Sequence, residues 1–583
     1  MKQMLKRLAL LAILCVGLVL LLSSEPSLIS VRAWETIDET RVSLAGKIID
    51  PQGEPVEGAA IGLLINGIST CEEPDCDSSN HLVESQGDGT FIVDIPAENV
   101  GEFREVVLEI SRPHFKHISW HVGEDDLDRL NQGGSLRLPD IELARRVTLG
   151  FWVATLTFLF ILVIIALEKL HNTMAALLGV AVILGTTFVG GTVTPDLFIF
   201  DTEQALEYVN FDVIFLVMGM MIVIAVIEET GIFQWLAYQS YRLSRGRTWL
   251  LVTILMMITS IASALLDNVT TMLLVTPMTI QIALAMNINP LALLLPEVLA
   301  SNVGGISTLI GTPTNILIGS YAGLSFNDFV TNLTPGVLMA QVVLTVYVLF
   351  RYRKQYRVEG GELSEALLDR LRESGQITQP EKLRKAGLVF VVMLILFIFG
   401  EGIHLAPAVT AILSAVAMLL WVSPDIEDML KVVDWTTLMF FISLFIVVGA
   451  IQEVGLISII AETISNLVGG NIAIAILVLV WSAAFLSGVI ANIPFTAAML
   501  PVVGFLTRTV PGASNQVLFY ALSIGSAMGG NSSLIGASAN LVTAGIAERA
   551  GYRITYKEFF KVGMPAMLVT VTVGTIWLFI RFQ

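Results

Sequence analysis

The chain has 583 residues, of which 55% are apolar and only 14% charged, with a mean hydropathy of +0.77. That much apolar surface excludes a soluble globular protein and points to a polytopic membrane protein. The net charge of −17 is concentrated in one stretch, since Trp34 to Arg145 holds 23 Asp and Glu against 8 Lys and Arg; an acidic, water-facing domain is expected ahead of the membrane part, and no nucleic-acid partner.

Residues 1–33 read as a signal peptide, or as an uncleaved signal anchor. Lys2, Lys6 and Arg7 precede an apolar run from Leu8 to Leu22, and Val31-Arg32-Ala33 ends in small residues. Either way the following segment is exported. Residues 34–146 are predicted to form a small extracytoplasmic β domain. Strands are expected at Val42 to Ile49, Thr90 to Ile95 and Val106 to Ile110, with turns at Pro51-Gln52-Gly53 and Gly87-Asp88-Gly89. Gly53-Glu54-Pro55-Val56-Glu57-Gly58-Ala59, with Gly87-Asp88-Gly89-Thr90-Phe91 further on, resembles the carboxypeptidase-regulatory-like β-sandwich modules of exported proteins. Cys71 and Cys76 fall here, where a disulfide closing a small loop competes with two free thiols.

From Val147 onward the chain can be threaded through a bilayer with spans of about 20 apolar residues. Spans are predicted at 148–166, 173–191 and 211–229, then a pair of shorter segments at 249–266 and 269–286, a long broken segment at 291–319 and a span at 334–350. The order then recurs: 386–403, 405–422 and 435–453, a pair at 472–490 and 494–508, a broken segment at 516–546 and a span at 563–580. The fold class expected is an all-α membrane part of two inverted repeats, 147–350 and 386–583, joined by a cytoplasmic linker at 351–385. Each repeat has five crossings, one of them the broken helix, plus a re-entrant hairpin, and an odd number of crossings inverts the second copy.

Charge supports the threading. The segments assigned to the inside carry Arg242, Arg245 and Arg247, then Arg351 to Lys385, then Arg549, Arg553, Lys557 and Lys561, whereas 192–210, 320–333 and 454–471 contain neither Lys nor Arg. The amino-terminal domain and the carboxyl terminus are then both extracytoplasmic, in a plasma or inner membrane.

One string occurs twice. Ser301-Asn302-Val303-Gly304-Gly305 leads to Gly311-Thr312-Pro313-Thr314-Asn315, and 225 positions on Ser526-Ala527-Met528-Gly529-Gly530 leads to Gly536-Ala537-Ser538-Ala539-Asn540. Polar, glycine-rich backbone at membrane depth is tolerated only where it is buried in protein or lines a wet cavity, and a duplicated interruption is the best sequence pointer to a transporter's binding site. The short pairs centre on Leu266-Asp267-Asn268-Val269-Thr270-Thr271 and on Ile490-Ala491-Asn492-Ile493-Pro494-Phe495-Thr496, which are predicted to be hairpin tips near the midplane.

These runs, with Gly529-Gly530-Asn531-Ser532-Ser533 included, resemble the ion-transporter superfamily of arsenite permeases, NhaD-type sodium/proton antiporters and dicarboxylate/sodium symporters, and most closely its melanosomal P-protein branch. The resemblance covers about 147–583. It implies a scaffold supporting a homodimer, and a mobile domain that carries a small ion or small-molecule substrate through the bilayer by an elevator-like movement. The substrate or ion site then comprises Asp267, Asn268, Thr270, Thr271, Ser301, Asn302, Gly304, Gly305, Gly311, Thr312, Thr314, Asn315, Asn492, Thr496, Gly529, Gly530, Asn531, Gly536, Ser538 and Asn540. Sodium is a candidate at Asn268, Asn315, Asn492 and Asn540.

A charge at the bilayer centre is kept only if paired, protonated or bound to a cation, so Asp267 is a candidate for coupling, with a helix-capping carboxylate as the competing reading. Glu297, after Pro296, is a second coupling candidate. The branch is expected to carry an acid at both hairpin tips, but Ala491 stands at the second. No HExxH, nucleophile elbow or nucleotide loop is present, so no enzyme and no cofactor are expected beyond a coupling ion, sodium or proton. The predicted function is secondary active transport of a small anion or oxyacid; the alternatives are a sodium/proton antiporter and an anion channel of the P-protein kind.

Overall fold

The computed structural model describes residues 41–582 apart from 52, 54, 70–82, 97–102, 132–135, 168, 357–374 and 423. The leader at 1–33, Cys71, Cys76 and the linker's middle lie outside the described residues. The chain divides into two units, Met1–Arg146 and Val147–Gln583.

In the first unit, β1 (Arg41–Ile49) pairs antiparallel with β5 (Thr90–Pro96) and parallel with the short β8 (Leu136–Arg137) and β9 (Ile141–Glu142). A second sheet runs β3 (Ile68–Ser69), β2 (Ala60–Ile65), β6 (Val106–Ser111), β7 (Ile118–His121), with β4 (Val83–Glu84) also on β2. The β2 strand alternates, burying Ile61, Leu63 and Ile65, and these join Leu44, Ile48, Phe91, Val93, Leu108 and Ile110 in one core. Gly46 lies opposite Phe91, and a Cβ there would collide with the ring. The acidic helix α1 (Glu124–Asn131) has no counterpart in the sequence reading; apart from Leu127 and Leu130 its side chains are polar or charged, and only Leu130 is buried.

The second unit is helical. It begins with α2 (Leu149–Ala166) and α3 (Asn172–Gly185), which continues as a π-helical turn, Thr186–Gly190. Then come α4 (Thr202–Glu207), α5 (Phe211–Glu228), α6 (Ile232–Ser244), α7 (Thr248–Leu265), α8 (Asn268–Ala285), α9 (Leu291–Gly304), α10 (Pro313–Ala322) and α11 (Phe326–Arg351). The same order follows in α12 (Pro380–Phe399), α13 (Pro407–Trp421), α14 (Ile426–Val432), α15 (Trp435–Glu453), α16 (Leu456–Val468), α17 (Ile472–Ser487), α18 (Asn492–Thr509), α19 (Val517–Gly529), α20 (Ser538–Arg549) and α21 (Tyr556–Phe582). Nine helices among the described residues are long and apolar enough to cross a membrane, and the protein is an integral membrane protein.

Three features differ from the sequence reading. The segments read as loops after the third span of each half are the amphipathic helices α6 and α16, each entered through a left-handed glycine, Gly231 and Gly455. At 13 residues each they escape a search for long apolar runs. The last helix of each half starts well before its apolar stretch, because Ser325 and Asp328 form a capping box on α11 and Thr555 pairs with Glu558 on α21. Finally, α7 and α8 have 18 residues each, about 27 Å at 1.5 Å per residue, so length alone does not make them too short to cross.

A buried polar centre shared by the two halves

What places the hairpin tips is their bonding. Ser263 Oγ, at the end of α7, donates to Ser301 O of α9 at 2.8 Å, and Ser487 Oγ, 224 positions on, donates to Ser526 O at 2.6 Å. Likewise Thr308 Oγ1 donates to Ala264 O, and its counterpart Ser533 Oγ donates to Gly488 O. Each hairpin is therefore stitched to the break of its own half by the same pair of bonds. In addition, the second arm of each hairpin packs against the other half, α8 on α20 and α18 on α10.

The glycines make this approach possible. A Cβ on Gly305 would strike Gly311 O, one on Gly311 would strike Gly305 O, and Gly530 and Gly536 block each other in the same way. Gly304 lies against Ser260 backbone and Gly529 against Ala484 backbone. These glycines bring backbone onto backbone.

Two asparagines pin the breaks. Asn315 Nδ2 donates to Ile306 O at 3.1 Å and Thr308 O at 2.8 Å, while Asn540 Nδ2 donates to Gly530 O and Ser533 O at 2.8 and 2.9 Å. Both side chains are fully buried, so their amide nitrogens satisfy carbonyls that a broken helix leaves unpaired. Only their oxygens face other partners: Ser523 Oγ donates to Asn315 Oδ1 at 2.6 Å, and Asn302 Nδ2 to Asn540 Oδ1 at 2.9 Å.

Asn302 is the junction. Its Nδ2 also donates to Asn531 Oδ1 at 2.9 Å, and its Oδ1 accepts from Asn268 Nδ2 at 2.9 Å. Asn531 in turn donates to Leu299 O at 3.3 Å. The first hairpin tip, the first break and the second break thus share one network. The second tip joins through backbone, Asn492 N donating to Gly536 O at 3.3 Å. Of the remaining candidates, Thr312 and Thr314 hydroxyls bond each other at 3.1 Å, Thr271 Oγ1 donates to Asp267 O, and the Thr496 hydroxyl is buried without a partner.

Asp267 caps α8. Oδ1 accepts from the Val269 and Thr270 amides at 2.9 Å each, and Oδ2 accepts from Thr270 Oγ1 at 2.5 Å. The carboxylate is half-buried, as are Thr270 and Ser538. The other helices that start at the centre, α10, α18 and α20, have no side-chain cap. Glu297 stands apart on α9, bonded to Thr279 Oγ1. Sequence reasoning missed Ser263, Ser487, Ser523, Thr308 and Ser533 as structural partners, although four of these recur at the repeat offset. A cavity of about 340 Å³ reaches from Leu309 and Ile316 of the first break to Asp212, Ser325, Glu401 and His404.

Residues 162–513 match the family described as citrate transporter. The chain belongs to that family. Relatives of the chain include an uncharacterized transporter of Mycobacterium tuberculosis, 36% identical over 431 residues, covering 74% of this chain and 98% of that protein. The human P protein is 34% identical over 504 residues, which are 73% of this chain and 59% of the P protein. The crystal structure of the YdaH transporter of Alcanivorax borkumensis covers 73% of this chain and 98% of its own, at 12% identity and a TM-score of 0.48. Family and relatives are transporters rather than enzymes, as the resemblance read from the motifs implied.

Proposed function

We propose that the protein is a secondary active transporter of a small anion or oxyacid, with a carboxylate as the first candidate, coupled to sodium or protons. The observation that carries this reading is the uncapped start of three helices at one buried polar centre. The positive ends of the helix dipoles at α10, α18 and α20, none of them capped by a side chain, suit an anion, and the fourth start, α8, already holds the carboxylate of Asp267. Citrate, named in the family's description, has the matching chemistry.

Alternating access follows if the second half is inverted relative to the first. Lys and Arg concentrated at Arg242 to Arg247, Arg351 to Lys385 and Arg549 to Lys561 favour an inside location for those segments, which leaves the amino-terminal domain and the carboxyl terminus outside. The centre would then move as a unit of hairpins and broken helices against the remaining helices, supported by a homodimer. The cavity lined by Asp212, Glu401 and His404 would be its outer approach.

The test is uptake of radiolabelled citrate and of a dicarboxylate into proteoliposomes. Saturable uptake that requires an imposed sodium or proton gradient is the expected result. Conductance far above carrier turnover, indifferent to either gradient, would overturn the reading in favour of a channel.

A further inference from the structure

The first repeat carries a buried polar feature that the second lacks. Glu297 is 1% exposed; its Oε1 accepts from Thr279 Oγ1 of α8 at 2.9 Å, and its Oε2 is buried without a hydrogen-bond partner. No other Asp, Glu, Lys, Arg or His lies on α7, α8 or α9. Toward the start of α9 the next titratable group is Tyr356, whose hydroxyl donates to Ala292 O at 2.6 Å. The helices packed on α9 from other directions hold their charges within two turns of their ends: Asp328 and Arg351 on α11, Glu548 and Arg549 on α20, Lys557, Glu558, Lys561 and Arg581 on α21. Besides these, α11 and α19 bring only the phenols Tyr347 and Tyr520, and α21 Tyr556. Among the described residues of these helices Glu297 therefore has no cation to pair with, and a carboxylate kept in such packing needs a proton or a cation to neutralise it.

Position joins Glu297 to the transport site. It lies about 9 Å along the helix from Leu291, where α9 begins, and about 7.5 Å short of Asn302. Ser301, one turn on and on the same face, bonds to Ser263 Oγ at 3.1 Å. Along α8, the buried polar residues Asn268, Thr271, Thr276 and Thr279 lead from the asparagine network down to the Glu297 contact, and the Thr276 hydroxyl also lacks a partner. In the second repeat the positions equivalent to Thr271, Thr276, Thr279 and Glu297 are Phe495, Leu500, Val503 and Leu522. The polar track exists on one side only.

We propose that Glu297 is the proton-carrying group of the transport cycle, loaded from the end of the molecule at which α9 begins. This rests on the transporter reading above and fixes its coupling ion. The proton adds to a lone pair of Oε2 and gives a neutral carboxyl group while Oε1 keeps its bond from Thr279; release toward the opposite side, through the shared polar centre, restores the carboxylate, so that one proton crosses in each cycle. One carboxylate and one hydroxyl suffice for a proton, whereas a hard metal cation needs several oxygen ligands.

The test is infrared difference spectroscopy of the full chain in proteoliposomes, titrated with protons alone. The wild type is expected to show a buried carboxylic-acid carbonyl band at neutral pH that is reversibly lost on alkalinisation. The band should persist in D267N, be absent from E297Q and shift in frequency in E297D, which keeps the carboxyl if E297Q folds poorly. A band retained in E297Q, no band in the wild type, or a band displaced by sodium chloride at constant pH would overturn the proposal. Because no substrate is needed, failure of citrate uptake with the band intact would instead count against the substrate reading.

Discussion

Asn302 donates its side-chain amide to Asn540 Oδ1 at 2.9 Å, joining residues 238 positions apart at the only place where both broken segments and a hairpin tip share one hydrogen-bond network among the described residues. The side chain is 2% exposed. Its removal strands Asn268 Nδ2, Asn531 Oδ1 and one acceptor site of Asn540. A buried polar group left unsatisfied costs about 1–3 kcal/mol, so N302A is expected to lower the thermal midpoint of the detergent-purified protein by several degrees and to abolish uptake. An unchanged midpoint would show that the network does not hold the halves together.

The paired glycines make a sharper steric test. G305A and G530A each place a methyl group against the backbone of Gly311 or Gly536, which has no flexible end to move aside. Both variants should fail to fold or lose transport. G545A, at an open helical position with nothing near its added Cβ, should be neutral or stabilising by about 0.5–1 kcal/mol. Fluorescence-detected size exclusion separates these outcomes.

How much of this could be seen in the sequence depends on what each residue does. The duplicated Ser-x-x-Gly-Gly and Asn315/Asn540 strings were legible because backbone breaks in a membrane demand the same few residue types twice. The amphipathic helices α6 and α16 were not, since a 13-residue helix lying half-exposed lacks the long apolar run that betrays a span. The junction role of Asn302 was also hidden. Its repeat equivalent is Ala527, and its partner Asn531 matches Ile306, so the contact is an asymmetric addition to the symmetric frame. Serines such as Ser263 and Ser487 read as ordinary helix residues until their carbonyl partners are seen.

Asp267 separates charge from capping. D267N keeps one oxygen to accept from the Val269 and Thr270 amides but removes the negative charge at the start of α8; D267A removes both. Loss of the cap costs about 0.5–2 kcal/mol. If Asp267 takes part in coupling, D267N should abolish or shift the gradient dependence of uptake with little change in the thermal midpoint, whereas D267A should lower that midpoint as well. Gradient dependence in D267N identical to that of the wild type would leave Asp267 a cap alone.

The amino-terminal β domain offers a pH test. Thr90 donates both its hydroxyl and its amide to Asp88 Oδ1, at 2.5 and 2.9 Å, and the two bonds hold the Asp88 carboxyl below the ordinary carboxylate range. A depressed carboxyl group contributes stability that is present above its unfolded value of about 3.9 and is lost as pH falls through the lower folded value. Amide exchange at Gly89 and Thr90 in the full chain should therefore gain a local opening below about pH 4, and D88N should flatten that dependence. The same acid response in D88N would assign it elsewhere.

The most direct measurement is the sidedness of the two hairpins. Single cysteines replace Arg247, just before α7, and Ser514, between α18 and α19, both exposed, after Cys15, Cys71 and Cys76 are changed to serine. A membrane-impermeant thiol reagent applied to sealed, oriented vesicles should label R247C only from the cytoplasmic face and S514C only from the opposite face. Labelling of both from one face would contradict the inverted arrangement and, with it, a carrier that opens its shared centre to each side in turn.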